Sequence, residues 1–583
     1  MNATPDTPQN ITDVLTRTLT GMFMALALAL IVIAAKGYAP FPNFWNGLPT
    51  LPILQTQANN TVFPQDIFVR EINWPYPLLS ILYSMIGSSE ALPLILFALN
   101  FLTVFLAVLV IAGLLKTQNT SASLLPFTVL LAMCGENTGL GWGNFWNLSG
   151  EFFSTQALAL LFYLGAIWIY TRGAFRHLWA ALTLTLLADP AIGLQALIVL
   201  TAAALFDPRK TKKRTVFNGI AALVLSLPAT LPFLRGMLET APDNAAELIL
   251  LRYAHFYEIK TLPLILYSLT VLAGWTALSL KKNASPLPLI MGAQTLLTGL
   301  CLLVFAPWVS QTTLNAYPVW LFQLEPLHTT PILLILSAIM ITGALPQLLN
   351  KEILNQNLTT KALSVILIIE ILTLLALQPP YGITLIILTL MGISWFGLHY
   401  TVAEDKTVLT LWIFIAITAN LYVYKNTYIQ MPPEPEKQQL FDWVKNNAEI
   451  EELFIIPPDM DGFRYYTKHS VYVNFSLFPL HSPSKIRTWK DRIDETAQPD
   501  TIPHPTFAKG WGRAQDWNRT YALHNTPERI ETLLENTGAA YLILDRKALD
   551  MPPFVDMKNE APSNLSKPYE NEQFTIYTRK KPQ

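Results

Sequence analysis

The sequence predicts a polytopic α-helical membrane protein that ends in a small α/β soluble domain. Charged residues make up 14% of the 583 residues and hydrophobic residues 52%, whereas a soluble domain carries about 25% charge. Mean hydropathy is +0.36. Long uncharged stretches continue to about residue 425, and about 20 apolar residues suffice to cross a bilayer. A net charge of −1 lacks the basic excess of a nucleic-acid-binding protein, so that class is excluded.

About 13 apolar stretches fit membrane-spanning helices. Two of them, 121–135 and 178–188, are short, and they are predicted to be half-helices. The second breaks around Ala188-Asp189-Pro190. The stretches cover residues 18–35, 93–115, 121–135, 152–171, 178–188, 190–206, 216–234, 261–280, 286–305, 329–347, 362–378, 382–398 and 407–424.

Basic residues in the loops predict the orientation, because Lys and Arg accumulate on the cytoplasmic side. The strongest basic run is 207–214. The loops 135–151, 306–328 and 378–381 contain no Lys or Arg. The sequence therefore predicts a cytoplasmic N-terminus and a C-terminal domain outside the cytoplasm.

The domain boundary is predicted near residue 428, where the composition changes and a Pro/Glu-rich linker begins. Residues 1–428 form the predicted membrane domain, with a large first outer loop over 37–92, and residues 429–583 form the extracytoplasmic α/β domain. Alternation of strands with helices is typical of an α/β fold. Helices are predicted over 437–447 and from Pro527 to Gly538, and strands over 453–456, 471–475, 541–544 and 574–577.

The first outer loop carries Asp66, Arg70 and Glu71 among Phe, Trp, Tyr and Pro residues. A carboxylate desolvated beside apolar side chains acquires a raised pKa and suits a general base. The alternative is that Asp66 caps a short helix and pairs with Arg70 four residues later.

Other acids fall at predicted outer loops and breaks. Glu136 and Trp142 lie in a glycine-rich loop, where the backbone can approach a ligand closely and a tryptophan can stack on a sugar or anchor at the membrane interface. Asp189 lies between two short spans. An ionisable residue at membrane depth is a functional candidate, and the alternative is that Asp189 caps the helix that starts at Pro190.

Two further outer loops combine histidine with another charged group. Arg252 and His255 are one helical turn apart, so both point the same way and suit a phosphate or a proton transfer. The alternative is an ordinary solvated loop. Glu325 and His328 precede a span and could hold a metal or a hydroxyl, or serve as interface polar groups.

The acids and their few cations all map to the predicted outer side. This convergence indicates a cavity for hydroxylated or phosphorylated material at the membrane surface. The sequence contains no Walker motif, G-x-S-x-G elbow, H-E-x-x-H or C-x-x-C, so it indicates neither ATP hydrolysis nor those catalytic classes.

This layout resembles the GT-C glycosyltransferase superfamily, polytopic enzymes with an essential acid in a large first outer loop and often an extracytoplasmic domain. Asp66 stands at the position matching that acid. The chain is also similar to a group of uncharacterised bacterial membrane proteins known by a domain-of-unknown-function label. The tail motif of that group fits 457–464, Pro-Pro-Asp-Met-Asp-Gly-Phe-Arg. Two other motifs of the group fit in part. An Arg-x-x-His-His element matches residues 252–256, where Phe stands in place of the second His. A Gln-x-x-Pro-x-Arg element matches residues 323–328, where His stands in place of the Arg.

The resemblance implies an inverting glycosyltransferase that moves a sugar from a polyprenyl-phosphate-linked donor to a glycan, lipid or protein acceptor on the outer face. It implies a multi-pass location in the bacterial inner membrane with a periplasmic C-terminal domain. Asp66 would be the general base, and a divalent cation, Mg²⁺ or Mn²⁺, is possible between Asp66 and Glu136. Donor phosphate would be bound by Arg252, His255 and Arg70, and substrate by Glu71, Glu136, Trp142, Asp189, His328 and Arg464.

Two other function classes stay open from the sequence. Broken spans with charges are typical of transporters and flippases, although no internal repeat is present. The second class is a non-catalytic protein that binds glycan and serves as a scaffold for the assembly of other enzymes. In the tail, Arg464 can bind an acidic glycan, or it can pair with Asp459 or Asp461.

Overall fold

The computed structural model describes most of residues 21–348, together with 434–498, 511–549 and 564–580. Gaps in the first range fall at 31, 34–49, 60, 87–91, 119, 121–124, 130–152, 210, 258–260, 280–284, 306–308 and 310. Over the described residues the chain is mostly helical, with a small sheet near its C-terminus.

Helices occupy most of the first 348 residues. In the amino-terminal half they are α1 Gly21–Leu30, α2 Thr50–Ala58, α3 Ile67–Arg70, α4 Pro77–Ile86, α5 Leu92–Thr117, α6 Leu125–Val129, α7 Thr155–Thr171, α8 Leu178–Ala188 and α9 Pro190–Phe206. They continue with α10 Lys212–Leu225, α11 Leu227–Leu238, α12 Ala245–Tyr257, α13 Thr261–Ser279, α14 Leu287–Phe305, α15 Gln311–Asn315, α16 Val319–Gln323 and α17 Thr330–Leu348.

Two described helices are long and apolar enough to cross a membrane, Ile95–Thr117 within α5 and Leu287–Phe305. A third span results if α10 and α11, which meet at 83°, count as one. Five further apolar helices are shorter. The predicted spans over 362–424 lie outside the described residues, so the count of 13 and the orientation stay predictions.

The predicted break around Asp189 is confirmed. Helix α8 ends at Ala188, α9 begins at Pro190, and both pack against α7 and α10. Pro190 suits the first helical turn because its missing N–H has no partner there anyway. The two helices are therefore halves that place one acid at their junction.

The C-terminal region, 434–580, forms an α/β unit as predicted. Its strands are β1 Leu453–Ile455, β2 Ser470–Val471, β3 Tyr541–Asp545, β4 Leu565–Glu570 and β5 Phe574–Arg579, in the order β2-β1-β3-β5-β4. Strand β1 is parallel to β2 and β3, while β5 is antiparallel to β3 and β4. Its helices are α18 Pro435–Asn447, α19 Phe463–Thr467, α20 Ile486–Ala497, α21 Trp511–His524 and α22 Pro527–Thr537.

The strand predicted over 471–475 is shorter than expected, because β2 ends at Val471. The N–H of Tyr472 still donates to the Phe454 carbonyl of β1 at 2.8 Å, and the N–H of Phe475 then donates to the Pro458 carbonyl, outside the strand. The carbonyl of Phe475 accepts a hydrogen bond from Arg252 at 3.0 Å, so tertiary contacts replace the ladder bonds. We name residues 470–485 the docking segment, since they carry most of the contacts with the first 348 residues.

Candidate functional site

Three titratable side chains meet where the helices contact the C-terminal region. Asp189, Glu325 and His328 each offer one ligand atom, and these atoms lie within 4.8 Å of one another. We name them the acid–imidazole cluster. Asp189 is fully buried, and the side chains of Glu325 and His328 are 11% and 10% exposed. Buried ionisable groups in such proximity are costly unless they are paired or bind a ligand.

Asp189 combines a structural contact with a free oxygen. Its Oδ1 accepts the N–H of Ile192 at 3.0 Å and so caps α9, which confirms the predicted capping role. Its Oδ2 is buried, and no described residue hydrogen-bonds to it. A carboxylate held by one oxygen leaves the other available for a ligand or a proton.

Glu325 sits on a strained backbone. Its φ of +45° lies in the left-handed region, which residues other than glycine rarely adopt. Strain of this kind costs about 1–3 kcal/mol and clusters at functional sites. The turn places the Glu325 carboxylate 2.7 Å from Nδ1 of His328.

A chain of buried polar side chains supports this turn. The hydroxyl of Tyr163 donates to Gln294 at 2.8 Å, and Gln294 donates to Thr329 at 3.1 Å. Thr329 donates to Gln195 at 2.7 Å, and Gln195 donates to the carbonyl of Leu324 at 2.9 Å. Helices α7, α9, α14 and the start of α17 thereby hold the turn in one position.

The two partners in the turn shift each other's proton affinity. Although burial alone raises the pKa of Glu325, the adjacent His328 lowers it below its usual value. Burial lowers and Glu325 raises the pKa of His328, and the net direction is upward. Both shifts favour the ion pair, in which the imidazole holds the proton.

The docking segment covers the cluster. His481 is close enough to Glu325 and His328 to act on both electrostatically, and burial lowers its pKa. Its Nε2 hydrogen-bonds the hydroxyl of Tyr76 at 2.9 Å. A Cβ at Gly236 of α11 would collide with the carbonyl of His481, so the close approach requires glycine there.

Asp66, the predicted general base, lies fully buried at the same junction between the helices and the C-terminal region. Its Oδ1 accepts the N–H of Phe68 at 3.2 Å and caps α3. Its Oδ2 pairs with Arg464 at 2.5 Å and accepts the N–H of Val471 at 3.0 Å. The predicted cap is confirmed, but the ion-pair partner is Arg464, because Arg70 donates to the carbonyl of Pro64 instead.

Arg252 also joins the helices to the docking segment. Its Nε donates to the Phe475 carbonyl at 3.0 Å and its Nη2 to the Ser476 carbonyl at 3.4 Å. The guanidinium lies over the rings of Tyr253 and Phe475 at 4.8 and 4.9 Å. Its predicted role on a donor phosphate stays a prediction.

The remaining sequence candidates lie at separate places. Glu71 is exposed and pairs with Lys485 of the docking segment. Glu136 and Trp142 lie outside the described residues, as does the side chain of His255. The structure therefore brings Asp189 together with Glu325 and His328. The described hydrogen bonds of Asp66 go to other residues.

Sequence reasoning missed His481 and Tyr76 as parts of the site. Neither belongs to a local motif with chemical meaning, and they are 405 residues apart. One signal was available for Tyr76, since it stands in the unusual run Trp74-Pro-Tyr-Pro77. His481 carried no such signal.

A buried acid beside the Asp66–Arg464 pair makes stability depend on pH. Burial raises the pKa of Asp461 to about 7, although Lys437, Arg252 and Arg464 act in the opposite direction. The ordinary pKa of an aspartate side chain, which applies in the unfolded chain, is 3.8. The folded protein thus holds an extra proton between these values, and stability falls as pH rises through that window. Asp459 shows the same shift.

We expect Asp461→Asn to raise the melting temperature more at pH 8 than at pH 5. The amide removes a charge that is fully present only above pH 7, where its burial cost is greatest. Scanning fluorimetry of the full chain in nanodiscs at both pH values measures the difference. An equal change at both values would contradict the raised pKa.

Comparisons with known proteins give a matching family profile and a similar solved structure. A family profile described as "Domain of unknown function (DUF6798)" matches residues 435–496, which include β1, β2, Arg464 and His481. No curated protein matches the chain. Among solved structures, the chain is similar to the archaeal oligosaccharyltransferase AglB from Archaeoglobus fulgidus, solved with an inhibitory peptide and a dolichol-phosphate. The identity is 12%, over 91% of this chain and 70% of that chain. The TM-score of 0.46 is too low to establish a shared fold.

Proposed function

We propose that this chain is a membrane glycosyltransferase that moves a sugar from a polyprenyl-phosphate-linked donor to a glycan, lipid or protein acceptor. One observation carries the proposal: the buried acid–imidazole cluster, with an unpartnered oxygen on Asp189, at the junction of apolar helices and a polar domain. A lipid-linked sugar has an apolar tail and a phosphorylated head. A reaction centre at such a junction can contact both.

The donor set of the cluster suits a divalent cation. Two carboxylates and one imidazole offer ligand atoms within 4.8 Å. The carboxylates suit Mg²⁺ or Mn²⁺, and the imidazole makes a first-row transition metal such as Mn²⁺ the better match of the two, since Mg²⁺ takes oxygen ligands. We assign Glu325 and His328 to hold the cation, since such ions commonly use one or two protein ligands and the substrate phosphate. When bound, the cation neutralises charge on the departing phosphate.

Asp189 is the residue we assign as general base, because its Oδ2 has no partner among the described residues. In the proposed step the acceptor oxygen attacks the anomeric carbon and Asp189 takes the hydroxyl proton. The bond from that carbon to the phosphate oxygen breaks, and the phosphate keeps the electron pair. Attack opposite the leaving group inverts the configuration.

This assignment moves the base role from Asp66 to Asp189. Both oxygens of Asp66 are occupied, by Phe68 on one side and by Arg464 and Val471 on the other. A carboxylate so engaged must release an ion pair before it can accept a proton. The two assignments give different outcomes when the Arg464 charge is removed together with Asp66.

The proposed location is the bacterial inner membrane, with a cytoplasmic N-terminus and the C-terminal region outside. Support comes from the apolar helices and from the basic run at 207–214. The reaction would then face the periplasm, where polyprenyl-phosphate sugars are used after they cross the membrane.

The transferase proposal is tested by mass spectrometry of polyprenyl-phosphate lipids from deletion cells and cells complemented with the wild-type chain. A lipid-linked sugar should accumulate in the deletion and clear on complementation, which also names the donor. An unchanged lipid profile in all strains would contradict the transferase and favour transport or scaffolding.

Binding of the cation is tested without turnover. Mn²⁺ should stabilise the wild-type chain by about 1.4 kcal/mol at a tenfold excess over its Kd. The increase in melting temperature should disappear in Glu325→Gln and His328→Ala and persist in Asp189→Asn. It should also grow as pH rises, because His328 must lose its proton to bind. A shift of equal size in all variants would exclude this site.

A further inference from the structure

A second group of buried polar side chains lies at the carboxyl ends of β1 and β3, and we name this place the crevice. The strand order β2-β1-β3 is parallel throughout, and the chain order reverses at β1. The connections from β1 and to β3 therefore leave in opposite directions and open a gap between them. In open α/β sheets, ligands bind at the carboxyl ends of the strands at such a reversal.

The crevice gathers polar side chains from separate elements. Asp545 is the last residue of β3. Its Oδ2 accepts the amide of Asn518, from α21, at 3.4 Å and the amide of Gln573, before β5, at 3.5 Å. Asp459 follows β1 and is close enough to Asp545 and Lys437 to interact electrostatically with both.

In Asn518 and Gln573, the amide nitrogen has a hydrogen-bond partner but the amide oxygen has none among the described residues. Asn518 and Gln573 are 6% and 8% exposed. Their carbonyl oxygens are buried, and no described residue hydrogen-bonds to either. The amide orientation is set by Asp545, since an ionised carboxylate only accepts and must face the nitrogens. A buried acceptor without a partner costs about 1–3 kcal/mol, so two in one place favour a donor supplied by a bound molecule.

A hydroxyl group matches the missing donor better than a cation does. A cation would need the amide oxygens to converge with Asp545, whereas the amide nitrogens face that residue and Lys437 adds positive charge nearby. A hydroxyl both donates and accepts, so neighbouring hydroxyls on one ring match alternating amide and carboxylate groups. We propose that this crevice binds a sugar residue through Asn518, Gln573, Asp459 and Asp545.

The inference goes beyond the transfer reaction and does not depend on it. The crevice belongs to the C-terminal region, and its residues contact neither Asp189 nor Glu325 through any described hydrogen bond. A sugar bound there would keep a glycan attached to the C-terminal region. Loss of binding at the crevice and loss of transfer at the cluster are measured separately.

The test is saturation-transfer difference NMR on the full chain in nanodiscs. The probes are methyl glycosides of glucose, galactose, mannose and N-acetylglucosamine. Near-isosteric apolar variants, Asn518→Leu and Gln573→Met, remove one amide group each, both the acceptor oxygen and the nitrogen that donates to Asp545. The matched control is Asn525→Leu. Asn525 also has a buried carbonyl oxygen to which no described residue hydrogen-bonds, but its amide donates to the Thr496 carbonyl instead of to Asp545.

We expect at least one glycoside to bind the wild type and each variant of the crevice to weaken it at least tenfold, while Asn525→Leu leaves it unchanged. Melting temperatures identify any variant that fails to fold, and the remaining variant then decides. Absence of binding by all four glycosides, or equal binding in the folded variants, would overturn the proposal. So would a Ca²⁺-induced rise in melting temperature that Asn518→Leu and Gln573→Met abolish, since it would identify a cation site.

Discussion

Asp189→Asn is expected to lower sugar transfer at least a hundredfold while the protein folds and inserts normally. Asparagine caps a helix as well as aspartate does, so the hydrogen bond to Ile192 is kept. The variant removes only the negative charge and the proton-accepting oxygen. General bases contribute about 10²–10⁴ in rate. The measurement is the clearance of lipid-linked sugar by cells that express the variant.

The matched control is Asp243→Asn, which makes the same chemical change at an exposed position before α12. It should transfer at the wild-type rate. If Asp189→Asn also transfers at the wild-type rate, Asp189 is a helix cap only. The base role then returns to Asp66 or to a residue outside the described ranges.

Asp66→Asn is expected to release the docking segment from the helices. The amide still caps α3 through Phe68, but Arg464 is left as a buried charge without its partner. Breaking one side of a buried ion pair costs about 3–5 kcal/mol. The variant should melt at a lower temperature and become open to trypsin at Lys485. Transfer falls as well, since His481 lies on the released segment.

Removal of both charges separates a structural role from a catalytic one. The double variant Asp66→Asn with Arg464→Gln leaves no unpaired charge, so it should regain most of the lost stability and transfer. Its coupling energy should exceed about 1 kcal/mol. Glu71→Gln, which breaks the exposed pair with Lys485, should cost no more than about 1 kcal/mol. A stable double variant without transfer would instead identify Asp66 as the general base.

Local patterns in the sequence were sufficient for much of the fold. The apolar stretches predicted helices, and the Ala-Asp-Pro break predicted the ends of α8 and α9 together with the cap by Asp189. In the tail, Thr526-Pro527 and Gly538 predicted both ends of α22. These features depend on residues within one or two helical turns, so neighbouring sequence carries their information.

The site was only partly predictable. Glu325 and His328 were named together as candidates because they are three residues apart, and the structure shows that their side chains form an ion pair. The sequence offered Arg70 as the alternative ion-pair partner of Asp66, and Asp459 or Asp461 as that of Arg464, since those partners are near in sequence. The observed pair joins Asp66 to Arg464 across 398 residues. An ion pair between residues far apart in the sequence forms only after packing has brought their two elements together.

The sequence by itself determined the helical apolar part, the α/β tail and the helix ends, because propensity, capping and periodicity are local properties. Only the tertiary structure decided which acid keeps a free oxygen and which is consumed in an ion pair. It brought Asp189 to Glu325 and His328, and it laid His481 over them. Burial determines those roles, and burial is a property of the packed chain.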